Sequence, residues 1–221
     1  MTVVNALTQS FLGKVEPSVR DDALRGARIT AFAPGETVVS EVGFQRAGVM
    51  IAGIVRIFLR TAPGRQVTLR YVRSGNSVGM AALLSEVSIA AEALTESRVL
   101  LLNSEAVLST AARSAGLALA VAADISRVVA AEYAEFAFRE EATIRQRLAR
   151  HLLDCSVIRP GERMPTVLLS HEQIADALGS AREVISRHLS DFRSEGMLSL
   201  GRIHITLTDP ARLHSAVFSR H

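Results

Sequence analysis

The sequence predicts an α+β fold in three successive zones: a β-rich roll, a long helix, and two short helices that share a tight turn and precede a small wing. Three observations predict it. Short apolar runs between about residues 28 and 102 are punctuated by Gly35, Gly48, Gly53, Gly64, Gly75 and Gly79, the turn spacing of a small barrel or roll. Residues 114–155 hold almost no Gly or Pro and much Ala, a composition that favours uninterrupted helix. Residues 169–196 carry two short helical periodicities that part at Gly179, and the chain beyond them alternates loosely around Gly201, as a hairpin does.

In chain order, a short helix is expected around Asp21–Arg25, ahead of the roll. Strands are expected at Val49–Ile54, Val55–Leu59, Val67–Val72 and Arg98–Leu102, with Pro63-Gly64 as a hairpin turn. The long helix runs from Ser114 to about Cys155, with a break near Phe138–Glu141. Its apolar stripe is Leu117, Val121, Ile125, Val128 and Val129, continued by Tyr133 and Phe136. Such a stripe packs either on its own domain or against a second copy of the chain. A helix this long needs a partner, which favours a homodimer seam from Leu117 to Phe136. Pro160-Gly161 and Pro165 mark the turn before the last zone. The expected division is a roll at residues 1–112, a dimerisation helix and hinge at 113–140, and the paired helices with their wing at 141–221.

The last zone carries the chemistry. Ser170 is a good N-cap, and Gln173 completes a capping box with it. Ile174, Ala175 and Leu178 form the buried stripe of the first helix, and Gly179 supplies a left-handed turn at low steric cost. Ser180 is expected to cap the second helix, with Glu183 at its capping-box position. Ile185, Leu189 and Phe192 recur at helical spacing and face inward. That leaves Arg182, Glu183, Ser186 and Arg187 facing outward, the layout of a helix-turn-helix reading the DNA major groove. Arginine grips guanine O6 and N7 with two parallel hydrogen bonds, and glutamate accepts from cytosine N4. Each residue also has a plainer reading: Glu183 as a cap, Arg182 and Arg187 as phosphate-holding or solvated side chains, Ser186 as a close-packing small residue. The expected DNA-contacting set is Ser170, His171, Arg182, Glu183, Ser186, Arg187 and, on the wing, Arg202.

Charge and composition bound the rest. The net charge is +3, and Lys14 is the only lysine. Residues 139–221 hold twelve arginines against ten acids, so DNA binding would rest on placed arginines more than on a general positive field. Cys155 is the sole cysteine, which excludes a disulfide within the chain. Residues 1–150 contain neither Cys nor His, so no cysteine-held cluster and no His- or Cys-ligated haem fits there. No metal or other cofactor is expected. Cys155 itself, flanked by apolar residues, reads as buried filler more than as a redox switch. Met1–Leu12 lacks the features of a secretory signal, and no apolar run approaches membrane-spanning length. The expectation is a cytoplasmic protein without a membrane partner. No Ser/His/acid order, metal spacing or phosphate loop suggests an enzyme.

Together, the glycine-punctuated roll, long helix and C-terminal helix pair with wing resemble the Crp/Fnr family of bacterial transcription regulators, over roughly residues 20–215. The roll matches at Pro34-Gly35-Glu36, Gly53-Ile54-Val55-Arg56-Ile57, Gly75-Asn76-Ser77-Val78-Gly79 and Ala93-Leu94-Thr95-Glu96-Ser97-Arg98-Val99. The most specific match is Arg182-Glu183-x-x-Ser186-Arg187. The resemblance implies a cyclic-nucleotide-binding-like jelly roll and a winged helix-turn-helix. It also implies base reading at Arg182, Glu183 and Arg187, an inverted-repeat DNA site, and RNA polymerase as a partner. Arg182 is similar to the cyclic-AMP receptor branch and Ser186 to the fumarate-nitrate regulator branch. The implied half-site core is therefore TTG- or TGTGA-like.

The effector cassette departs from the family pattern. Nucleotide binders carry Gly-Glu after the Gly-x-x-x-Gly turn and Arg-Ser further on; here those positions hold Gly79-Met80 and Val87-Ser88. No Arg or Lys occurs from Ser74 to Ser97, and burying an unpaired phosphate charge is costly. Cyclic AMP in the usual pose is therefore not expected. A pocket of Met80, Val87 and Ser88 facing Tyr133 would take a less anionic or apolar molecule, unless these residues simply pack. Two function classes stay open: a dimeric regulator with an unidentified effector or none, and a ligand- or partner-sensing module in which DNA binding is secondary. Arg182, Glu183 and Arg187 favour the first.

Overall fold

The computed structural model describes residues 2–39, 47–60, 66–84, 89–158, 161–202 and 204–218. The chain opens with α1 (Val3–Gln9), capped by Thr2, and α2 (Pro17–Ala23), which starts on a proline at its first turn. The short helix expected at Asp21–Arg25 thus lies about one turn earlier. Pro17 sets that start, because its fixed φ suits the first helical position.

Among the described residues the roll contains β1 (Arg28–Phe32), β2 (Thr37–Val39), β3 (Gly48–Ala52), β4 (Ile54–Arg60), β5 (Gln66–Arg73), β6 (Ser77–Val78), β7 (Ala90–Ala93) and β8 (Ser97–Leu101). They form two sheets, ordered β1-β8-β3-β6 and β2-β7-β4-β5. The pairings of β1 with β8, β3 with β8 and β4 with β7 are antiparallel. The run Val49–Ile54, expected as one strand, is divided by Gly53. This glycine sits at φ +90°, where a Cβ would lie 2.3 Å from Ser97 Oγ and 2.6 Å from the Glu96 carbonyl oxygen. The chain turns there and changes sheet, so Ile54 opens β4. The expected turn at Pro63-Gly64 lies outside the described residues.

Alternation along β3 divides the core. Met50 faces the roll interior with Phe32, Val55, Ile57, Val72 and Val99. Val49 and Ile51 face the other way, toward Phe11, Leu12, Met80, Leu117 and Val121. A strand buried on both faces reads as a continuous apolar run, which is why this segment is so apolar in sequence.

After α3 (Ser104–Ala111), α4 runs unbroken from Ala115 to Glu141. α5 (Ile144–Cys155) follows at once, and Thr143 caps it in a reciprocal box with Gln146. The break in the long helix therefore falls at Ala142–Thr143, just beyond the expected Phe138–Glu141. Two compact units result. The first is carried by residues up to Ala134, apart from a short segment ending at Thr68, and the second by residues from Glu135 onward.

The two faces of α4 have different fates. Leu117, Ala120, Val121 and Asp124 are buried within the chain's own first unit. Leu117 and Val121, expected in a dimer seam, are thus part of the chain's own core. Leu119, Tyr133 and Phe136 are 69%, 72% and 63% exposed, and Val129 is exposed beside them. With Ala122 and Ser126 they recur every three or four residues along one side of the helix.

The second unit holds β9 (Thr166–Val167), α6 (His171–Leu178), α7 (Arg182–Ser194), β10 (Leu198–Leu200), β11 (Ile205–Leu207) and α8 (Pro210–Phe218). The wing is three-stranded, in the order β10-β11-β9. The sequence signalled only the β10–β11 hairpin, because β9 is two residues long and pairs with a strand far along the chain. Cys155 is buried. Among the described residues, no single helix is long and apolar enough to cross a membrane.

Candidate nucleic-acid interface

α6 begins as its sequence dictates. The Ser170 hydroxyl accepts from the Gln173 backbone N–H at 3.1 Å, and the Gln173 side chain accepts from the Ser170 N–H at 2.8 Å. Ile174, Ala175 and Leu178 are buried, and Gly179 ends the helix at φ +61°. The start of α7 departs from expectation. Its N-cap is Ala181, which offers no side-chain acceptor, and Ser180 lies one residue too early to cap it. Glu183 is therefore not the partner of a capping box. It stands exposed in the first turn of α7, where the helix dipole favours a carboxylate. The uncapped N-terminus leaves its first N–H groups without a side-chain acceptor.

Ile185, Leu189 and Phe192 are fully buried on the inner face of α7. Arg145 of α5 stacks its guanidinium 4.2 Å from the Phe192 ring centroid and pairs with Glu195 at 2.7 Å. Arg147 donates to the Leu178 carbonyl at the end of α6, a helix terminus that favours a cation. Burial lowers the Arg147 pKa, and Arg139 adds a smaller push the same way. These two arginines orient the helix pair. Sequence reading missed both, because each acts on a residue more than thirty positions away.

On the outer face, Arg182, Glu183 and Arg187 are exposed. Ser186 is half-buried, and its hydroxyl lies 2.9 Å from His171 Nδ1. Burial, and then the charge of Arg182, lower the His171 pKa from its ordinary 6.5. Arg202 is exposed in the turn between β10 and β11, where the Gly201 N–H donates to the His204 carbonyl at 2.8 Å. A groove of about 600 Å³ is lined by Ser170, His171, Glu172, Arg182, Arg202 and His204, among others. The structure thus brings Ser170, His171, Arg182 and Arg202 together across α6, α7 and the wing. Glu183, Ser186 and Arg187 continue along α7 outside that lining.

The expected effector residues are placed differently. Met80 is buried in the core that packs against α4, so its thioether serves packing. Tyr133 is exposed on α4. Val87 and Ser88 lie outside the described residues. Near this part of the roll is a polar network whose members are remote in sequence. The Asp124 side chain, 1% exposed, accepts from the Ser77 hydroxyl and from Arg127. Arg127 also donates to Asn76 at 3.1 Å. Arg70 on β5 pairs with Glu132 on α4 at 3.5 Å. Burial lowers the Arg70 pKa, against the opposing pull of Glu132 and Asp124. Cations are therefore present here although the cassette from Ser74 to Ser97 supplies none, and each already has a carboxylate partner.

Residues 146–216 match the Crp-like helix-turn-helix domain, and residues 29–114 match the cyclic nucleotide-binding domain. The chain is 33% identical over 165 residues to the transcriptional regulator LdrP of Thermus thermophilus, covering 73% of this chain and 82% of that one. It is 27% identical over 179 residues to the transcriptional regulator SdrP of the same organism, covering 79% and 85%. A crystal structure of a CRP-family transcriptional regulator, also from Thermus thermophilus, superposes with a TM-score of 0.69 at 30% identity, over 86% of this chain and 97% of that one.

Proposed function

This chain belongs to the Crp/Fnr family of DNA-binding transcription regulators, and from that premise we propose how it works. It acts as a cytoplasmic homodimer, not as an enzyme. Each protomer places α7 in the major groove of one half of an inverted repeat, with the half-sites about one helical turn apart. The roll precedes α4, α4 is the dimerisation helix with its hinge at Ala142–Thr143, and the reader follows from α5 onward and also presents a surface to RNA polymerase. The observation that carries this reading is the outer face of α7. Arg182, Glu183 and Arg187 stand exposed opposite a fully buried Ile185, Leu189 and Phe192. Ser170, His171 and Arg202 flank α7 where phosphates would run.

The exposed α4 stripe of Leu119, Val129, Tyr133 and Phe136 supports the dimer. Its three-and-four spacing suits a second copy of the same helix. Cyclic AMP is not required in this reading. A cyclic phosphate in the roll would have to displace Glu132 from Arg70, a pair that ties β5 to α4, or Asp124 from Arg127, whose side chains also hold Ser77 and Asn76. Selection of bound sequences from random DNA by the purified protein, with and without cyclic AMP, tests the whole reading. An inverted repeat is expected, unchanged by the nucleotide. Arg187→Ala is expected to lose about 1–3 kcal/mol of discrimination at one guanine. Wild-type preference in that variant would refute the base-reading assignment.

A further inference from the structure

A serine hydroxyl has one proton and two lone pairs, so by itself it meets any base as donor or acceptor. Ser186 does not have that freedom. Its oxygen lies 2.9 Å from His171 Nδ1, in a contact that bridges α7 and α6. Ser186 stands one helical turn from Arg182 and Glu183 and so shares their face. Which of the two groups donates depends on where the imidazole carries its proton, and that depends on its other nitrogen. His171 lines the groove with Ser170, Arg182 and Arg202. Among the described residues, Nε2 has no hydrogen-bond partner.

Burial, and then the nearby Arg182, favour the neutral ring, which carries one N–H. A phosphate in the groove only accepts hydrogen bonds, which places that N–H on Nε2. Nδ1 is then an acceptor and takes the only proton Ser186 has. We propose that His171 sets the polarity of Ser186, which then shows DNA only its lone pairs and selects an exocyclic amine, adenine N6 or cytosine N4, at the base beneath it. The proposal rests on the reading of α7 as the helix in the major groove. His171 acts through Ser186 and is a positioning residue for specificity.

The test uses the full-length protein and its selected site, with each of the four bases placed in turn at every half-site position. Wild type is expected to prefer adenine or cytosine at one position by about three- to tenfold, the strength of a single hydrogen bond. His171→Phe keeps a flat ring that cannot accept, so the hydroxyl proton is released. The preference at that position is expected to fall to about twofold or less, with guanine and thymine newly tolerated and other positions unchanged. Ser186→Ala should flatten the same position, and adding His171→Phe should flatten it no further. His171→Asn, whose amide oxygen can accept the serine proton, should restore the preference and also guards against a folding artefact in the phenylalanine variant.

Three results would overturn the proposal: a wild-type preference for guanine or thymine there, a His171→Phe variant with unaltered preference, or one weakened equally on all sequences. The last would make His171 a phosphate contact alone. A wild type with no base preference anywhere would instead bring down the reading of α7 itself.

Discussion

Replacing Asp124 with alanine tests whether the polar network fastens α4 to the roll. The carboxylate is 1% exposed and receives hydrogen bonds from Ser77 on β6 and from Arg127 on its own helix. Ser77 is itself buried. Deleting the carboxylate removes a buried hydrogen bond to a charged group, worth about 1.5–3 kcal/mol, and leaves the serine O–H without that acceptor. The Arg127 contribution is smaller. Its side chain is 55% exposed and returns to water, so its pair adds no more than about 1 kcal/mol. The expected loss is therefore about 3 kcal/mol, which corresponds to roughly 6–12 °C in Tm for a chain of this size. Differential scanning calorimetry is the suitable assay, because two units need not unfold in one transition. The desolvation cost of the carboxylate makes a second expectation. Ser77→Ala combined with Asp124→Leu removes both polar partners and should recover most of the loss. An Asp124→Ala protein melting within about 2 °C of wild type would refute the reasoning.

Three further outcomes are expected. Gly53→Ala should cost more than about 2 kcal/mol, read as lost thermal stability, because φ +90° disfavours a side chain and the new Cβ would meet the Glu96 carbonyl at 2.6 Å. Tyr133→Glu, on the exposed side of α4, should give monomers by light scattering at micromolar concentration and weaken DNA binding with them; a stable dimer would place the seam elsewhere. DNA affinity should rise as pH falls below 6.5, since a protonated His171 favours phosphate and its lowered pKa keeps it neutral above that range. Burial and then Arg182 from α7 oppose that protonation, and the incoming phosphate favours it; Glu172 on α6 and Arg202 and His204 on the wing line the same groove. In fluorescence-anisotropy titrations, the part of the pH dependence lost in His171→Phe is the part that belongs to this ring.

The reader helices were legible because their signals are local. Ser170 with Gln173, the left-handed Gly179, and the buried Ile185, Leu189 and Phe192 all act within a turn or two of themselves. The same kind of signal was present at Thr143 and Gln146, and it would have fixed the hinge two residues from where periodicity put it. Ser180 misled because a good capping residue one position early caps nothing; the backbone at Ala181 already has the extended geometry of the cap. On α4, periodicity could not separate the two faces. An alanine-rich helix with valine and leucine on both sides offers a stripe through Leu117 and Val121 and another through Leu119 and Val129. Only packing against Phe11, Leu12 and Val49 decides which is core. The Asp124 network was invisible for a simpler reason. Ser77 and Asn76 lie about fifty residues from their partners on α4, so no window of sequence holds both.

In a chain with a net charge of only +3, the arginines serve two different ends. Four guanidinium groups on β5, α4 and α5 are matched to carboxylates: Arg70 to Glu132, Arg127 to Asp124, Arg145 to Glu195 and Arg150 to Glu135. Along α7 and the wing, Arg182, Arg187 and Arg202 stand exposed, and among the described residues none of them is in an ion pair. Pairing removes a charge from the far field, while leaving one unpaired preserves it for a ligand. The same residue type therefore serves two ends. Twelve arginines against ten acids in the last third of the chain leave little excess charge, so the placement of Arg182 and Arg202 on one groove matters more than the total. A diffuse basic surface would bind any duplex. A few unpaired arginines on a rigid helix, beside a glutamate and a serine of fixed polarity, can instead make the free energy of binding depend on which bases lie beneath them.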